Sequence, residues 1–91
     1  MPALPFQIEV VLPERSLVIA RRLEPVPFLV EEGTTTLGGR EVSLVVLPRA
    51  RAADGSLRTD VFGFRLLFPE DAARLRPGDV VELAGWRPTT V

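Results

Sequence analysis

Apolar and polar residues alternate with a period of two along most of this chain. In Phe6–Leu12 every even-numbered residue is apolar, whereas Gln7 and Glu9 are polar. Strict alternation is typical of a β-strand that has one face in the core and one face in water. The pattern therefore predicts a first strand whose core face is formed by Phe6, Ile8, Val10 and Leu12.

The same pattern predicts the other strands. They fall at Ser16–Arg22, Phe28–Glu31, Glu41–Leu47, Thr59–Phe68 and Val80–Trp86. Turn residues separate these segments, for example in Asp54-Gly55-Ser56. Gly63 lies inside a predicted strand, where glycine indicates a bulge or a sharp bend.

Residues 69–76 have the features of a short helix. Pro69 suits the first helical position, and acidic residues then precede basic ones in the order that complements the helix dipole. About six strands with no strand–helix alternation predict an all-β fold, a small antiparallel barrel. A compact sandwich is the alternative. The 91 residues suit a single domain that spans 1–91.

Residues 75–85 contain a Pro77-Gly78-Asp79 turn that leads directly into an alternating strand. This turn and the short helix before it resemble the second-domain barrels of translation elongation factors and the cradle-loop barrels. The resemblance covers residues 69–85 and implies a small β-barrel. It implies no GTP chemistry, because the residues that match belong to a barrel and not to a GTPase domain.

The residue types that perform most enzyme chemistry are missing from the sequence. All 11 basic residues are arginine, and the chain has no lysine, histidine, cysteine, tyrosine or asparagine. Nucleophilic triads and zinc sites need histidine or cysteine, and Schiff-base chemistry needs lysine. Carboxylate chemistry stays open, but the Asp and Glu residues are scattered. We therefore expect no catalytic residue, no metal and no cofactor.

Arginines concentrate in the middle of the chain, although the net charge is only −1. Guanidinium groups bind phosphate and carboxylate through paired hydrogen bonds. A candidate site for a nucleic-acid backbone or another anion is therefore formed by Arg49, Arg51, Arg58 and Arg65. The competing interpretation is a solvated loop whose charges offset Asp54 and Asp60.

Several predicted strands are apolar on both faces, as in Val10-Val11-Leu12 and Leu66-Leu67-Phe68. A strand of a small antiparallel barrel is expected to show one polar face to water. The residues expected to face outward and to need cover are Val11, Val45 and Leu67. A second subunit would cover them, because exposed apolar patches mark interfaces. Deeper burial in a sandwich is the alternative.

The sequence thus favours a non-catalytic binding or interaction module that forms a homo-oligomer or binds another protein. Binding to an RNA backbone is the alternative function. No apolar run approaches the roughly 18 residues that a membrane-spanning helix needs, and the first residues lack the pattern of a signal peptide. We therefore expect a cytoplasmic protein without membrane association. The scarcity of thermally labile residues is also typical of proteins from thermophiles.

Overall fold

The strands of the computed structural model form a closed antiparallel barrel with a two-stranded sheet beside it. The structure describes residues 4–30, 33–45, 54–55 and 60–89. Its strands are β1 (Leu4–Leu12), β2 (Leu17–Arg22), β3 (Phe28–Val30), β4 (Thr36–Leu37), β5 (Arg40–Val45), β6 (Val61–Leu66), β7 (Val80–Ala84) and β8 (Trp86–Pro88). Short 3-10 helices lie at η1 (Pro13–Arg15) and η2 (Pro69–Arg74).

The barrel has the strand order β1-β2-β6-β5-β4-β7, and β1 closes it by pairing with both β2 and β7. The prediction of an all-β fold with a six-stranded barrel is therefore confirmed. The Pro77-Gly78-Asp79 turn extends the closing ladder, since the Gly78 amide donates to the Ile8 carbonyl over 2.7 Å. The Ile8 amide in turn donates to the Asp79 carbonyl over 2.8 Å.

The core lies inside the barrel and is lined by alternate residues of each strand. On β2 the inward residues are Val18 and Ala20, and on β6 they include Phe64 and Leu66, all of them buried. Leu83 of β7 is also buried in the core. Burying such apolar side chains contributes about 1.5–3 kcal/mol each.

One end of the barrel is filled by aromatic rings. Phe6 is fully buried and makes edge-to-face contacts with Phe28, Phe62 and Phe64 at centroid distances of 5.7, 5.9 and 5.3 Å. Because Phe28 belongs to β3, these contacts attach the β3–β8 sheet to the barrel. The Arg22 guanidinium lies 5.5 Å from the centroid of the Phe62 ring and donates to the Val26 carbonyl over 2.8 Å.

The other end of the barrel is covered by η2. Ala72 and the following Leu75 are buried in the core. An ion pair between Arg40 and Asp71, with an N–O distance of 3.6 Å, ties η2 to the start of β5. The short helix predicted over 69–76 is thus present as a 3-10 helix over Pro69–Arg74.

A register shift in β1 overturns the predicted face of this strand. Ile8 pairs with Ala20, but Val10 pairs with Ile19, so Glu9 is an extra residue in the ladder. A β-bulge of this kind moves the following side chains to the opposite face. As a result Val10 is exposed and Leu12 lies on the outer side of the barrel, so the prediction that both face the core is wrong.

Three further details differ from the sequence-based expectations. For Gly63 the sequence left open a bulge or a sharp bend; the ladders on both sides of it are regular, so it carries no bulge, and the register shift lies in β1. Residues 33–39, which the sequence pattern assigns to no strand, contain β4, which pairs with β5 through a Gly38-Gly39 turn. The last predicted strand is divided at Gly85 into β7, in the barrel, and β8, in the small sheet.

Among the described residues, no helix is long and apolar enough to cross a bilayer.

We expect Gly85→Ala to destabilise the fold strongly. Gly85 has φ +74°, and a Cβ atom there would overlap the Thr34 carbonyl oxygen. The left-handed conformation alone costs an alanine about 1–2 kcal/mol, and the backbone contact adds to this loss. Gly39→Ala is the matched control, because Gly39 has φ +80° and no atom within 4 Å of its built Cβ. Urea unfolding should show a clearly larger loss for Gly85→Ala, and equal losses would contradict the packing at Gly85.

Candidate interaction surface

A row of side chains without charge crosses the outside of the barrel on neighbouring strands. Val10 pairs with Ile19, Ile19 pairs with Gly63, and Gly63 pairs with Val45. Ile19 and Gly63 alternate with the buried Val18, Ala20 and Phe64, and residues paired across a ladder share a face, so the row faces outward. Val10 is exposed, Ile19 and Val45 are half-buried, and Gly63 contributes no side chain. The row is therefore an apolar strip across β1, β2, β6 and β5.

A second row lies beside the first, toward η2. Leu12 pairs with Leu17, Leu17 with Arg65, and Arg65 with Ser43. One step further, Leu67 follows β6 and is 60% exposed. We define the outer apolar face as Val10, Leu12, Leu17, Ile19, Val45 and Leu67.

The structure supports two of the three residues that the sequence predicted to face outward. Leu67 is exposed, and Val45 lies on the outer side of β5. The prediction that Val11 faces outward is wrong, because Val11 pairs with the buried Val18 and packs against the core. The cause is the extra residue at Glu9, which turns Val11 inward and leaves Val10 outside.

The sequence contains a signal for this bulge. Strict alternation through Gln7 and Glu9 would place Val11 on the polar face of β1, so an apolar residue at that position breaks the pattern. A one-residue insertion restores an inward position for Val11. The position of the extra residue follows only from the ladder between β1 and β2.

Of the four arginines predicted to bind an anion, the structure describes Arg65. It is exposed on β6, opposite Ser43. The other three, Arg49, Arg51 and Arg58, lie outside the described residues. The predicted cluster therefore stays a prediction from the sequence.

Polar groups border the outer apolar face on the side away from η2. The Arg21 guanidinium donates to the Gln7 side-chain oxygen over 2.8 Å and lies 3.7 Å from the Glu9 carboxylate. Both contacts are on the outside of the barrel and partly exposed, and exposed ion pairs contribute only about 0–1 kcal/mol each. They form a hydrophilic edge to the apolar strip.

An open depression on the opposite side of the barrel runs along β7 between β1 and β4. It is lined by Pro5, Thr36, Gly38, Gly39, Val80, Val81, Glu82 and Ala84. Glu82 supplies the one charged group of this lining. Ligand sites combine an enclosed apolar pocket with several convergent polar groups, and this shallow surface has neither.

The described part of the chain contains no group of three or more Asp or Glu residues arranged to hold a metal ion. Comparisons with protein-family models, curated proteins and solved structures find no match for this chain.

Replacing a methyl group by a hydroxyl distinguishes the two sides of β1. We expect Val11→Thr to lower the free energy of unfolding by about 1–3 kcal/mol, because Val11 packs against the core and a hydroxyl there would lack a hydrogen-bond partner. Val10→Thr should change it by less than about 0.5 kcal/mol, because Val10 faces solvent. Thermal or urea unfolding of the pair measures both effects. The reverse order would show that β1 alternates without a bulge.

Proposed function

We propose that this protein is an interaction module that associates with a second copy of itself through the outer apolar face. The observation that carries the proposal is the apolar strip that continues in register from Val10 on β1 to Val45 on β5. A barrel strand whose outer side faces only water is expected to be polar there. Contiguous apolar surface of this kind is typical of protein–protein contacts.

The exposed fractions of the side chains support the same proposal. Leu67 and Val10 are 60% and 41% exposed, so association would remove considerable apolar area from water. Each Å² of apolar surface buried contributes about 25 cal/mol. Ordering two subunits opposes this gain, so we expect association in the micromolar range rather than a permanent dimer.

The composition is compatible with a non-catalytic role. The sequence has none of the histidine, cysteine or lysine side chains on which common nucleophilic and zinc-dependent mechanisms depend. The alternative of nucleic-acid binding depends on four arginines, of which Arg49, Arg51 and Arg58 lie outside the described residues.

A pair of double variants tests the proposal. Val10→Asp/Leu67→Asp places two carboxylates on the outer apolar face and should abolish self-association measured by sedimentation equilibrium. Leu29→Asp/Val80→Asp is the matched control, because these side chains are 47% and 60% exposed but lie on β3 and β7. The control should associate like the unmodified protein.

Unfolding curves must first show that both double variants fold. Monomeric behaviour of the unmodified protein throughout the micromolar range would refute the proposal. Equal weakening by the two double variants would mean that association does not use this face.

A further inference from the structure

The part of β1 that follows the bulge is held by a single neighbouring strand. As far as Gln7, β1 pairs with both β2 and β7. Ile8 is fixed next, because its carbonyl accepts from the Gly78 amide and its amide donates to the Asp79 carbonyl. Residues 10–12 pair, within the described ranges, with β2 alone. A change of register beyond Ile8 is therefore opposed by one ladder only.

The residue that β1 supplies to the core after the bulge is a valine in either of two registers. In the observed register Val11 pairs with Val18 and packs against the core, whereas Val10 pairs with Ile19 on the outside. If the extra residue moves toward the hairpin turn, Glu9 comes to lie opposite Ile19. Val10 then takes the inward position opposite Val18. One valine replaces another, so the volume and apolar character of the core stay the same.

The turn between β1 and β2 can take up the displaced residue. In the moved register Val11 pairs with Leu17, and Leu12 joins the turn, which becomes longer by one residue. Hairpin connections of up to about five residues are common. The Glu9 carboxylate stays on the outer side near Arg21, its ion-pair partner in the observed register. The loss is the cross-strand pair of Leu12 with Leu17, and this loss favours the observed register.

The two registers give the outside of the barrel different chemistry. In the observed register the apolar strip begins with Val10, which pairs with Ile19. In the moved register the same place opposite Ile19 is taken by Glu9. A carboxylate there interrupts the strip, and its burial against an apolar surface is costly because it has no partner. The register thus exchanges the inward residue and the outward residue of β1 together.

We propose that β1 exchanges between these two registers beyond Ile8, and that the bulged register is the one in which the outer apolar face is complete and able to associate. The exchange follows from the fold alone, whereas its effect on association rests on the proposed self-association. A minor conformation of this kind is populated at about 0.1–10%. NMR relaxation dispersion detects it when the exchange takes microseconds to milliseconds.

Relaxation dispersion of the backbone amide nitrogens tests the register exchange. Residues 9–12 and their partners 17–19 should show exchange, and residues 4–7 should not, because β7 holds them on their other side. The exchange should not depend on protein concentration, unlike exchange caused by self-association. Flat profiles over residues 9–12 would overturn the proposal, and so would equal exchange over residues 4–7.

A matched pair of variants shifts the two populations in opposite directions. Val11→Thr should raise the minor population by about fivefold or more, because the hydroxyl faces water in the moved register and the core in the observed one. Val10→Thr should remove the exchange, because the moved register would bury its hydroxyl. The same response in both variants would overturn the proposal.

Two deletions fix one register each and test the effect on association. Removal of Glu9 leaves Val10 outside and Val11 inside, and removal of Val11 leaves Glu9 outside and Val10 inside. Both shortened strands alternate without an extra residue and keep the same turn, and neither should show the exchange. Sedimentation equilibrium should give a dissociation constant within about threefold of the original after removal of Glu9. Removal of Val11 should raise it about tenfold or more.

The possible outcomes separate the inference from the proposed function. Exchange that is independent of concentration, with opposite responses of Val10→Thr and Val11→Thr, supports the register change whether or not the chain self-associates. Equal dissociation constants for the two folded deletion variants would overturn the control of association and leave self-association intact. A chain that stays monomeric while the exchange persists would overturn the proposed function and leave the register change standing.

Discussion

The contact of Phe6 with three other aromatic rings is the interaction on which the rest of this fold depends. Phe6 belongs to β1, and its ring contacts Phe62 and Phe64 of β6 and Phe28 of β3 in the small sheet. Edge-to-face pairs contribute about 0.5–1.5 kcal/mol each beyond the area that they bury. The cluster thereby fixes the end of the barrel that η2 does not cover, and it holds the β3–β8 sheet against the barrel.

The bulge at Glu9 determines what the protein presents to its surroundings. It allows β1 to supply Phe6 and Ile8 to the core before the bulge and Val11 after it. The same extra residue places Val10 outside, where it begins the outer apolar face. Core packing and surface character are therefore set by one irregularity in one ladder, and they cannot be varied independently along β1.

Much of the fold follows from periodicity, and the differences have local causes. The positions of β2, β6 and β7 were predicted to within about two residues at each end, because alternation in these strands continues without interruption. Val11 was misplaced because a bulge adds one residue without changing the composition of the strand. β4 was missed because two residues between turns are too few for a periodic signal. The position of Arg65 opposite Ser43 depends on the register of β5 with β6, which the sequence of either strand alone does not contain.

Closure of the barrel between β1 and β7 has a consequence for synthesis of the chain on the ribosome. β1 is made first, but one of its two edges has its partner only when β7 has left the exit tunnel. Until then the nascent chain presents an unpaired strand edge and incomplete core packing, which favour contacts with other nascent chains. The free edge of β1 is therefore covered only after β7, the last barrel strand in chain order, has been translated.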